Sequence, residues 1–135
     1  MGIANKALKE GYNKITRFTD LIVWQEAHKL VLMVYSLTNT FPDEERYCLT
    51  NQLRRAVISI TSNIAEGFTR KSMKEKVNLY KVSHGSLVEV QNQLLAARDI
   101  GYIKECFTDV ADQTVIVHKL INGLLKSTRL RKYEK

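Results

Sequence analysis

The sequence predicts an all-α fold, an antiparallel up-down-up-down bundle of four helices. Three observations carry that expectation. Apolar residues recur at gaps of three and four in four successive stretches, and the single proline of the 135 residues, Pro42, stands at the break between the first two. No stretch alternates apolar and polar residues with period two over a strand's length. The length suits one domain around one hydrophobic core, and 44% apolar with 26% charged residues places the chain among globular rather than disordered proteins.

The first helix, from about Asp20 to Asn39, follows from Val23, Ala27, Leu30, Val34, Leu37 and Phe41, which form one continuous seam. Thr40-Phe41-Pro42-Asp43 breaks it where a proline lacking an N–H does no harm, and Asp43, Glu44 and Glu45 suit the positive start of a second helix. That helix runs to about Glu66 with Leu49, Leu53, Ala56 or Val57, Ile60 and Ile64 inward, and Gly67 is placed to leave it in a left-handed conformation. Ser72-Met73-Lys74-Glu75 has the S-x-x-E spacing of a capping box and opens a third helix. The third carries two seams, one through Val77, Tyr80, His84, Leu87, Gln91, Leu94 and Arg98, the other through Leu79, Ser83, Ser86, Val90 and Ala97. A helix contacted along two seams lies inside a bundle or at a subunit boundary. Gly101 offers its stop, and the fourth helix, about Glu105 to Thr128, shows Val110, Val117, Leu120, Ile121 and Leu124. The second and third helices should each extend about 35–45 Å, and their short connections force antiparallel neighbours.

The net charge of +7 is unevenly placed. Residues 1–17 hold Lys6, Lys9, Lys14 and Arg17 against Glu10, and residues 126–135 hold Lys126, Arg129, Arg131, Lys132 and Lys135 against Glu134, which leaves a neutral body. The organisation expected is a basic arm over 1–17, the bundle over 18–125 and a basic tail over 126–135. Basic arms on a neutral body point to a polyanionic partner, because Lys and Arg at phosphate release counterions. No span approaches the ~18 uncharged apolar residues that a membrane helix needs, and the opening residues lack the apolar core of a secretion signal, so a cytoplasmic location and no membrane partner are expected. Cys48 and Cys106 form no CxxC pair and read as small buried apolar residues.

Catalytic and cofactor patterns are missing. A di-iron bundle needs glutamates three residues before histidines, and none stands there; a helical nuclease needs an arginine a few residues before a histidine, and none stands before His28, His84 or His118. The three histidines fall on three different helices and read as hydrogen-bonded core or surface residues. No phosphate-binding glycine loop, dinucleotide turn or nucleophile elbow occurs. No catalytic residue, metal ligand or cofactor is assigned, and the chain is not expected to be an enzyme.

Two polar features remain. Gln52, Ser59, Asn63 and Glu66 make a stripe beside the apolar seam of the second helix, with Ser86 and Glu89 of the third as partners, and short Ser and Asn residues are poor choices for an exposed helix face. The stripe is assigned to assembly, within the chain or between copies. Gly85, unfavourable in mid-helix, suggests close approach of another backbone. The second feature is basic: Arg54, Arg55, Arg70, Lys71, Lys74, Lys76 and Lys81 face only Glu66 and Glu75 over that span, and four of them lie at the turn between the second and third helices.

Phe18 to Gln25 (FTDLIVWQ), Phe41-Pro42-Asp43-Glu44-Glu45, Gln52-Leu53-Arg54-Arg55-Ala56, Asn63-Ile64-Ala65-Glu66-Gly67 and Gly85-Ser86-Leu87-Val88-Glu89 together resemble the helical-bundle proteins encoded in intervening sequences of bacterial large-subunit ribosomal RNA. That family is related to the accessory variability protein of diversity-generating retroelements. The resemblance covers roughly residues 18–125, with Cys48 where the family usually has Gly and Ser83-His84-Gly85-Ser86 where it usually has Ala-x-Gly-Ser. It implies a ring-like homopentamer with a basic surface and, for the retroelement relatives, binding to nucleic acid and to a reverse transcriptase.

The leading expectation is therefore a non-catalytic oligomeric scaffold that binds nucleic acid, RNA foremost, through Arg54, Arg55, Arg70, Lys71, Lys74, Lys76, Lys81, Arg129, Arg131 and Lys132. Aromatic stacking platforms are not evident, so recognition should be electrostatic and weakly sequence-specific. The competing expectation is a protein–protein adaptor, with a partner such as a reverse transcriptase, in which the charge serves encounter rate rather than direct nucleic-acid binding.

Overall fold

The computed structural model describes residues 14–132. Four α-helices account for most of them: α1 (Ile22–Thr38), α2 (Leu49–Thr69), α3 (Met73–Ile100) and α4 (Phe107–Lys132), with short 3-10 turns at Phe18–Asp20 and Asp43–Glu45. No strand occurs among the described residues. Helix α1 packs on α2 and α4, α2 on α3, and α3 on α4, enclosing a single apolar core.

The seams follow the spacing except at the end of α3, where Arg98 is exposed, and on α4, where Leu120 and Leu124 are half-buried and Leu125 is buried instead. Val23, Ala27, Leu30, Val34, Leu37 and Phe41 are all buried, as are Leu53, Ala56, Val57, Ile60 and Ile64 of α2. On α3 one seam buries Tyr80, Leu87 and Leu94, and the other Ser83, Ser86, Val90 and Ala97. Val110, Val117, Ile121 and Leu125 complete the core from α4. Polar pairs cross between the helices. Ser83 Oγ donates to Ile60 O at 2.8 Å, Gln91 Nε2 to Thr114 Oγ1 at 3.2 Å, and Gln113 Nε2 to Glu26 O at 2.8 Å.

Both ends of α3 follow local rules. Ser72 Oγ accepts from the Glu75 N–H at 3.3 Å, which satisfies one orphan donor of the first turn. At the other end Gly101 takes φ 104°, a left-handed value, and the N–H groups of Gly101 and Tyr102 both reach back to Ala97 O.

Several expectations require correction. Helix α2 does not begin at the acidic triplet. Asp43–Glu45 is a separate 3-10 turn, and Cys48 interrupts the helical backbone at φ −118°, ψ −106°. The cause is tertiary, since Glu45 accepts from Tyr102 Oη at 2.8 Å and from the Leu49 N–H at 3.3 Å, so its carboxylate serves the start of α2 from outside it. With 21 residues α2 is about 32 Å long, short of the expected span, while α3 with 28 reaches about 42 Å.

Gly67 does not exit the helix. Helix α2 continues to Thr69, and Gly67 is small because Tyr80 lies across it. Nor does Gly85 meet a backbone: a β-carbon there would find nothing within 4 Å among the described residues. Cys48 and Cys106 are exposed, not buried, because both sit in the irregular segments that precede α2 and α4. Finally, α4 runs to Lys132, so the described part of the expected basic tail is helix.

Candidate nucleic-acid interface

Where α3 begins, residues 73, 74, 77, 78 and 81 share one face by their spacing of one, three and four. The last turns of α4 lie alongside. Between them runs a groove of about 300 Å³ lined by Met73, Lys74, Val77, Asn78 and Lys81 of α3 and by Thr128 and Arg129 of α4. Val77 and Met73 are half-buried against the core, and Thr128 is buried, its hydroxyl donating to Leu124 O at 2.7 Å. The apolar and satisfied groups form the floor. Lys74, Lys81 and Arg129 are exposed at the rim, and none of the three enters an ion pair among the described residues. Three cations without an ion-pair partner among the described residues thus border one concave strip.

Other basic residues are placed differently. Lys76 Nζ donates to Gly67 O at 3.1 Å and to Phe68 O at 2.7 Å, capping the last carbonyls of α2, where the helix dipole favours a cation. Burial, followed by the nearby Arg131 charge, holds the Lys76 ammonium below its ordinary pKa. Its work is to join α2 to α3. Arg70 pairs with Glu66 one turn back, whereas Lys71 and Arg131 are exposed near the same end.

Arg54 lies well away, about 24 Å along α2 from Arg70. It ties α2 to α1, with Nε donating to Thr38 Oγ1 at 2.9 Å, Nη2 to Asn39 Oδ1 at 3.0 Å, and the guanidinium 4.7 Å above the Tyr35 ring. Arg55 is exposed on that distant part of α2. The side chain of Lys132 lies outside the described residues, as do residues 1–13 and 133–135 of the two arms.

The polar stripe divides in the same way. Ser59 Oγ and Ser86 Oγ meet at 2.8 Å between α2 and α3, and Asn63 Nδ2 donates to Ser59 O at 2.8 Å and Ser59 Oγ at 3.1 Å. Gln52, Glu66 and Glu89 are exposed and stand outside this network, although Glu66 holds Arg70. On α3, Gln93 Oε1 is buried with no hydrogen-bond partner among the described residues.

One juxtaposition escaped the sequence altogether. His84 of α3 and His118 of α4 bring their Nε2 atoms to 3.1 Å, with ring centroids 4.9 Å apart and planes at 66°. Residues 34 positions apart leave no spacing signal, and the one clue was that His84 and Gln91 share a seam that had to find polar partners on α4. His28 stacks on Trp24 at 4.7 Å instead. Among the described residues no group of three or more His, Cys, Asp or Glu is arranged to hold a metal ion, and no helix is long and apolar enough to cross a membrane.

No curated protein matches the chain. A crystal structure at 1.70 Å of a protein of unknown function, from the S23 ribosomal protein family of Bacteroides thetaiotaomicron, is similar with a TM-score of 0.72 at 18% identity. The match covers 78% of this chain and 96% of that one, and at such identity it shows a shared fold. Residues 19–123, from the turn before α1 through α1, α2, α3 and about the first two thirds of α4, match the family described as 23S rRNA-intervening sequence protein. The chain belongs to that family.

Proposed function

We propose that this protein is a non-catalytic, RNA-binding scaffold of the cytoplasm, in which the groove between the start of α3 and the end of α4 receives the phosphate backbone. The observation that carries the reading is the convergence of Lys74, Lys81 and Arg129 on one groove without acidic neighbours in ion pairs. A family described by an intervening sequence of ribosomal RNA supports RNA as the polyanion. Capping of α2 by Lys76 places the Arg70–Lys71 turn at the same end, which widens the positive surface.

The cross-helix pairs Ser59 with Ser86, Ser83 with Ile60 and His84 with His118 support an up-down-up-down course. The bundle then assembles with copies of itself into a ring, a pentamer by resemblance, using the exposed α2–α3 face that carries Gln52, Gly85 and Glu89. In a retroelement setting a reverse transcriptase docks on that ring.

Fluorescence anisotropy with a labelled RNA tests the reading. Wild type binds, and Lys74→Glu, Lys81→Glu and Arg129→Glu each weaken binding severalfold with unchanged helix content. Equal affinity in all four proteins overturns it. Capture of a protein partner that survives nuclease, with no RNA affinity in the purified chain, establishes the adaptor instead.

A further inference from the structure

We propose that His84 and His118 form a binding site for a divalent late first-row transition ion of the zinc type, linking α3 to α4. The distance is the first argument. With metal–imidazole bonds of about 2.0–2.1 Å, two nitrogens in one coordination sphere stand about 3.0–3.4 Å apart, and the two Nε2 atoms are already at 3.1 Å. An ion lying off the line between the two nitrogens can therefore bind both by a tilt of the rings, without moving the helices.

The tautomers permit it. The ring that now donates its Nε2 proton transfers to the Nδ1–H form, and both Nε2 lone pairs then face the ion. Neither Nδ1 takes part in a hydrogen bond among the described residues, so each is free to carry that proton. A neutral pair binds with no net proton release, whereas a protonated pair gives up its proton, so acid competes with the metal.

The rings are also held in place. His84 lies between the buried Tyr80 and Leu87 on its seam, and His118 is flanked by buried Val117 and Ile121. Two turns along, Gln91 and Thr114 bond across the same helix pair and fix its separation. Both imidazoles are only half-buried, which leaves the ion a path from solvent. With two protein ligands the remaining positions go to water, so the ion is exchangeable.

The protein is freed of metal with chelator and titrated with zinc chloride at pH 7.5, on a Cys48→Ser, Cys106→Ser background so that the exposed thiols do not compete. Calorimetry should give one ion per chain, and the imidazole resonances of His84 and His118, not those of His28, should shift. His84→Ala and His118→Ala should each lower affinity at least tenfold, with His118→Gln used if alanine reduces helix content, and His28→Ala should change nothing. Equal zinc affinity in the double alanine variant, or unmoved His84 and His118 resonances at millimolar zinc, overturns the site.

Discussion

The ring of Tyr80 lies over Gly67 so closely that a β-carbon at Gly67 would stand 2.5 Å from Cε1 and 2.9 Å from Cδ1. Tyr80 is 2% exposed and has little freedom to withdraw. This contact explains the glycine that closes Asn63-Ile64-Ala65-Glu66-Gly67 better than any turn does. Gly67→Ala gains about 1 kcal/mol of helix propensity, but overpacking against a buried ring costs about 1–3 kcal/mol. The expected outcome is a lower melting temperature with unchanged helix content. Tyr80→Leu removes the ring, and in that background Gly67→Ala should be neutral or stabilising by up to about 1 kcal/mol. A rise in Tm for Gly67→Ala alone contradicts the contact.

Lys76 and Lys74 stand two residues apart and should separate stability from binding. Lys76→Met loses two charge-assisted bonds to the carbonyls of Gly67 and Phe68, so stability should fall by about 1 kcal/mol, with RNA affinity altered less than about threefold. Lys74→Glu should do the reverse. Urea denaturation and anisotropy on the two variants check the assignment.

Ser59, Asn63 and Ser86 couple α2 to α3. Ser59→Ala leaves the Ser86 hydroxyl without its partner at a cost of about 1 kcal/mol, Ser86→Ala should cost less because Ser59 Oγ still accepts from Asn63, and the double variant should cost clearly less than the sum. Asn63→Leu should retain helicity by circular dichroism and change the oligomer size seen by light scattering. An unchanged size would remove Asn63 from assembly.

Glu26 gives a pH signature. The bond from Lys29 holds its carboxyl below the ordinary carboxylate value against the opposing effect of burial, and the bond from Gln113 adds to the lowering. The unfolded chain therefore binds the proton first, and the stability Glu26 contributes is present above about pH 4.5 and lost as pH falls through the lower folded value. The difference in urea midpoint between wild type and Glu26→Gln should be greatest near pH 6 and shrink toward pH 3. A difference constant across that range contradicts the pairing.

The apolar stripes of α1 and α2 were legible because a 3.6-residue period records which face is buried, and every residue of the α1 seam is in the core. The start of α2 was not, because Glu45 is claimed by Tyr102, 57 positions away. Cys48 and Cys106 were misjudged because a residue type's average burial says nothing of one placed in a joint between helices. The basic count was legible, yet not its division: Lys76 and Arg54 make tertiary bonds, whereas Lys74, Lys81 and Arg129 share a groove. Periodicity gives faces, and only packing decides which neighbours those faces meet.

The salt dependence of RNA binding tests the central claim most directly. Each phosphate neutralised on single-stranded RNA adds about 0.7 to the steepness of log affinity against log salt. The wild type should show a steep negative slope, and the triple variant Lys74→Glu, Lys81→Glu, Arg129→Glu should be shallower by about 2. A flat wild-type line, or identical slopes for the two proteins, would contradict a phosphate-binding groove between α3 and α4.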